Sequence, residues 1–148
     1  MPVFLDVVKN GEDILNVNMF HCYRFAMQIP MSIDDRMQYV VAFEPGVILD
    51  YPLYRGLLYI DQKTLAITRA EFEMDMSDKQ KAASSILRKK PFGLRFKPSH
   101  VSFVIAYKQQ DGRNYLNYIC NELRFKCDWK RRLFSSAYTV RNEMVMVD

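Results

Sequence analysis

The first places in this sequence where side chains could do acid–base chemistry are its acidic pairs. Glu71 and Glu73 stand two residues apart, so on an extended strand both leave the same face, with Cβ atoms about 7 Å apart, a spacing at which two carboxylates can divide acid and base roles. Arg69 shares that face, and the alternation turns all three toward solvent, so a surface charge ladder is expected rather than a titrating dyad. Asp34-Asp35 and Asp75 with Asp78 are the other pairs. His21 falls on the apolar side of an alternating run and His100 lies just beyond Pro98; neither has a ligand-like neighbour at a metal-site spacing. No Ser sits in a G-x-S-x-G elbow and no Gly-rich turn resembles a phosphate cradle, which sets aside hydrolase and nucleotide-binding readings. Cys22, Cys120 and Cys127 are odd in number, with no C-x-x-C, and read as free, mostly buried thiols. The expectation is a chain without catalytic residues, metal or cofactor.

Aromatic side chains say more. The chain has 10 Phe, 9 Tyr and 1 Trp among 148 residues, more than a minimal core needs. Most should be core, but Tyr and Trp join an apolar body to a polar tip and suit the wall of a groove. Tyr54, Phe72, Tyr107, Tyr118 and Trp129 are the candidates for lining a concave face that takes a lipid-like or other apolar ligand. Trp129 with Lys130, Arg131 and Arg132 would form a contact corner.

The elements that must position these residues are strands. Alternation with period two predicts strands over 19–29, 37–43, 54–60, 65–76, 101–107, 115–127 and 138–147, with an eighth if Val3 to Val8 also pairs. Asp61-Gln62-Lys63-Thr64 and Asp111-Gly112 mark hairpin turns. Ala66, Thr68, Ala70, Phe72, Met74 and Met76 are the expected inward row of the strand that carries the acidic pair. One helix is predicted over 78–90, with Ser77-Asp78 at its start, Ala82 and Ile86 on its inner face and Pro91 at its end. The fold class is therefore mainly β: a long-stranded antiparallel meander, curled into a sheet or half-barrel, in one domain spanning 1–148.

Charge narrows the partners. Twenty-one Lys+Arg against 17 Asp+Glu leave a net +4, but the basic residues form short clusters and no continuous stripe, so nucleic acid is not an expected partner. Apolar runs stop at about five residues, well short of the ~20 needed for a spanning helix. The N-terminal residues lack a signal-peptide pattern, and the last ones, Glu143 to Asp148, still alternate like a strand, so the expectation is a piece of a longer protein.

Four segments, Tyr51 to Asp61, Thr64 to Phe72, Pro91 to Pro98 and Tyr138 to Val145, together resemble the C-terminal region of large envelope proteins of Gram-negative gut bacteria that begin with a carboxypeptidase-like regulatory domain. The run from Gly56-Leu57-Leu58-Tyr59-Ile60-Asp61 through Ala66-Ile67 to Arg69-Ala70-Glu71-Phe72 carries most of that resemblance. It implies export to the periplasm or outer membrane and supplies no catalytic residue. The same strand–turn–strand signature also resembles the half-barrel of periplasmic lipoprotein carriers. The functional expectation is a non-catalytic cell-envelope domain that binds a lipid-like ligand, with a protein-interaction or scaffolding domain, docking another envelope protein, as the alternative.

Overall fold

The computed structural model describes residues 17–87, 93–129 and 136–147. A 3-10 turn over Val17–Cys22 leads into eight strands: β1 (Tyr23–Met27), β2 (Met31–Ile33), β3 (Arg36–Pro45), β4 (Tyr54–Asp61), β5 (Ile67–Met74), β6 (Leu94–Gln110), β7 (Arg113–Trp129) and β8 (Ser136–Val145). One helix, α1 (Lys79–Ile86), separates β5 from β6. All strands join one antiparallel sheet in the order β1-β3-β4-β5-β6-β7-β8, with the short β2 also on β3. The sheet is open, as expected of a curled meander.

Turn chemistry sets the registers. Asp111 and Gly112 both take positive φ, 55° and 76°, the mirror-image turn whose twist matches the flanking strands, and Gln110 pairs with Arg113 across it. Asp34 and Asp35 do the same between β2 and β3, with φ of 50° and 61°. At the β4–β5 turn the Asp61 carboxylate accepts the N–H groups of Lys63 and Thr64, at 2.8 and 3.0 Å. Such a side chain mimics a backbone turn and satisfies donors that would otherwise be orphaned.

Opposed residues share a face, so the ladders define two faces. One row runs Phe43, Gly56, Phe72, Phe103, Asn121, Asn142 across six strands. Around it lie Tyr23, Leu58, Ala70, Met74, Val101, Ile105, Ile119 and Leu123, all buried. Helix α1 adds Ala82 and Ile86, and the β3–β4 loop adds Leu53, which together seal the middle of this face as the core. Phe72 stacks on Phe103 with centroids 5.1 Å apart and planes 20° apart.

Four expectations change. The first strand is Tyr23–Met27 rather than 19–29, because its partner β3 stops at Pro45 and Pro30 removes a donor beyond Met27. His21 thus sits exposed on the 3-10 turn and not on an apolar strand face. The helix ends at Ile86, with Leu87 already extended at φ −120° and ψ 94°; Arg88 to Pro91 lie outside the described residues. The eighth strand is β2, while Val3 to Val8 lie outside the described residues.

Candidate functional site

Of the five groove candidates, Tyr54 and Phe72 are buried in the core, their rings 5.6 Å apart and nearly perpendicular. Neither lines an open surface. Tyr107 is half-buried at the edge of that core. Tyr118 points to the opposite face, where its hydroxyl lies 3.2 Å from Glu143 Oε1. Trp129 closes β7 opposite Leu94; its side chain lies outside the described residues, as do Lys130 to Arg132. The five therefore do not converge. Alternation identifies which residues face in, but it cannot say which part of the inner face α1 and the β3–β4 loop will cover.

What the described residues leave uncovered is the β1–β3 end of the core-side face. Phe25, Met27, Met37 and Tyr39 are 44%, 63%, 47% and 36% exposed, although they share that face with the buried Phe43 and Leu58. Half-buried Val41, Ile60 and Ile67 connect this row to the core. Apolar residues contiguous over several strands are uncommon on a free surface and mark a contact site, and methionine's unbranched chain adapts to irregular partners. On β3 the opposite face is the covered one here: Gln38 is 2% exposed, its Oε1 accepts from the Thr68 hydroxyl at 2.7 Å, and Asp61 is 1% exposed beside Arg36.

A second concavity of about 250 Å³ lies between the β3–β4 loop and the start of α1, lined by Val47, Leu49, Tyr51, Leu53, Asp78 and Lys81, among others. It is smaller than the usual ligand pocket of about 300–1,000 Å³. Its polar groups are engaged: the Asp78 carboxylate caps α1 and the Lys81 ammonium donates to the Leu49 carbonyl at 2.6 Å. The apolar run Val47-Ile48-Leu49 between Pro45 and Pro52 is its sequence signal, and strand periodicity passes over it.

The acidic pair is occupied. Arg69 Nε lies 2.6 Å from Glu71 Oε1, and His100 Nδ1 lies 3.8 Å from Glu73 Oε2. Each carboxylate has its own basic neighbour, so the two do not face each other across a shared proton. Tyr59 donates to Glu71 Oε2 at 3.4 Å, and burial, followed by the Glu71 charge, raises its pKa. Among the described residues, no three His, Cys, Asp or Glu side chains gather in a way that could hold a metal, and no helix is long and apolar enough to cross a membrane. Cys22 and Cys120 are buried and Cys127 half-buried, all three as free thiols.

No protein family, curated protein or solved structure matches this chain.

Proposed function

We propose that this chain is a non-catalytic binding domain that takes an apolar, lipid-like ligand on the core-side face of its sheet, at the β1–β3 end. One observation carries the reading: Phe25, Met27, Met37 and Tyr39 extend the core's own face outward, yet the described residues leave each of them between 36% and 63% exposed, with Phe20 edge-on against Phe25. An acyl chain laid along that row would remove apolar surface from water at about 25 cal/mol per Å². The row is open to solvent, so a polar headgroup can stay hydrated at its end. The cell-envelope setting belongs to the same proposal and draws on the resemblance of the Tyr51 to Phe72 segments to exported proteins.

Titration with a fluorescent long-chain fatty acid tests it. The wild type should bind saturably, and a Met27→Glu, Met37→Glu double variant, altered at exposed positions that the fold tolerates, should lose about tenfold or more in affinity. Absence of saturable binding, or equal binding by both proteins, would overturn the reading.

A further inference from the structure

The far edge of the sheet carries a pattern of its own. Strand β8 is paired on one side by β7, and among the described residues no strand pairs with its other side. Every β8 residue except Val140 is exposed. An open edge of ten residues is a template for another strand, and this one lacks the usual blunting devices: it has no Pro, no Lys and no bulge in its pairing with β7.

Which groups face that edge follows from the ladder. Met146 N donates to Asn117 O at 2.9 Å, so the even-numbered residues of β8 aim their backbone groups at β7. By alternation, Thr139, Arg141, Glu143 and Val145 present their N–H and C=O groups outward. Side chains alternate in step. Tyr138, Val140, Asn142 and Met144 lie on the core-side face, opposite Phe125, Leu123, Asn121 and Ile119, while Arg141 and Glu143 lie on the other.

From this we infer that β8 pairs with β8 of a second copy, antiparallel about a two-fold axis through Asn142. An axis perpendicular to the sheet sets each residue opposite one of the same face, so the apolar side continues from one copy to the next. Centred on Asn142, Arg141 faces Glu143 of the partner subunit, and this happens twice. Val140 then meets Met144 of the partner subunit, and Thr139 meets Val145 of the partner subunit. The outward backbone groups of Arg141 and Glu143 fall into hydrogen-bonded register. Centring on Arg141 or on Glu143 would oppose like charges, and centring on Val140 or Met144 would leave both charges facing uncharged residues. Within one copy Arg141 Nη2 already lies 2.6 Å from Glu143 Oε1, so the two side chains stand together on that face. This contact uses the edge opposite the apolar β1–β3 row, so the outcome of the fatty-acid titration does not bear on it.

Sedimentation equilibrium on the full chain tests it. The wild type should show a concentration-dependent dimer. Arg141→Glu should weaken it about tenfold or more, and the swap of Arg141→Glu with Glu143→Arg should restore it, because the swap re-forms both cross-pairs. Register is read separately by cross-linking in a Cys127→Ser background. Asn142→Cys sits on the axis in a non-hydrogen-bonded pair, with Cα atoms about 4.5 Å apart, and should form a disulfide dimer on mild oxidation. In the same register two Cys at position 140 would lie about 13 Å apart, so Val140→Cys should not. A wild type that stays monomeric, a dimer indifferent to Arg141→Glu, or equal cross-linking at positions 140 and 142 would overturn the proposal.

Discussion

Arg36 holds its Nε 2.8 Å from the Asp61 carboxylate, and the two residues differ sharply in setting: the carboxylate is buried and the guanidinium is half-exposed. Arg36 also donates to Gln109 Oε1 at 2.9 Å, and Gln109 donates to the Thr64 hydroxyl at 2.9 Å. One arginine thus ties the start of β3, the β4–β5 turn and the tip of the β6–β7 hairpin together.

Asp61 should make the fold acid-sensitive. The Thr64 N–H holds its carboxyl below the ordinary carboxylate range, helped by the Lys63 N–H and the Arg36 guanidinium and opposed by burial. A depressed folded-state pKa contributes stability that is present above the unfolded value, about pH 4, and is lost as pH falls through the folded one. Urea unfolding at a series of pH values should show a steeper acid loss for the wild type than for Asp61→Asn; parallel curves would contradict this.

Gly56 should not tolerate a methyl group. It lies between Phe43 and Phe72 in the cross-strand row, and a Cβ there would press on the Glu71 carbonyl and come within 2.6 Å of Phe72 Cα. Backbone cannot yield as a flexible side chain would, so Gly56→Ala should cost about 1–3 kcal/mol, read as a lower urea midpoint with the slope unchanged.

Tyr23 should titrate late. Burial pushes its hydroxyl up to about 12, against the opposing effect of the Tyr54 N–H that donates to it at 3.3 Å. A phenol whose folded pKa is raised contributes stability that is complete below the unfolded value, about pH 10, and disappears as pH rises through the folded one. Alkaline unfolding of Tyr23→Phe should therefore be shallower than that of the wild type between these limits, and a phenolate absorbance titration should lose its latest step.

Asp78 governs how firmly α1 covers the core. Its carboxylate accepts from Gln80 N and Lys81 N, both at 3.1 Å, satisfying two donors of the first turn. Asp78→Ala should cost about 1 kcal/mol in thermal or urea unfolding, and Asp78→Asn should recover most of it.

Much of this architecture is legible in the sequence, for identifiable reasons. Asp111-Gly112 announces its hairpin because few residues other than Gly, Asn and Asp accept positive φ, and of the expected β5 row Ala70, Phe72 and Met74 are inward, whereas the bulge opposite Tyr59 and Ile60 turns Thr68 to Gln38 on the other face. Strand ends are less legible where a partner decides them: nothing in Met19 to Cys22 says that Pro45, more than twenty residues on, withdraws the ladder. On β3 the pattern names the right face for Met37, Tyr39, Val41 and Phe43, yet Phe43 alone is fully buried, Val41 is half-buried and the other two are exposed, because α1 and the β3–β4 loop reach no farther. The candidate site depends on that coverage and not on residue type. A tyrosine in the core and one on a rim have the same pattern, which is why Tyr54, a groove candidate, lies in the core while Tyr39 lies on the exposed row.

The order of the strands bears on how the chain acquires its shape. From β3 onward each strand pairs with the one made just before it, so a polypeptide leaving the ribosome can zip its ladder as it emerges. Among the described strands only β1 skips a neighbour, pairing with β3, and from β3 onward each new strand extends the sheet away from the β1 edge. Of the described strands β8 is therefore the last to dock, onto a ladder whose other members are already paired.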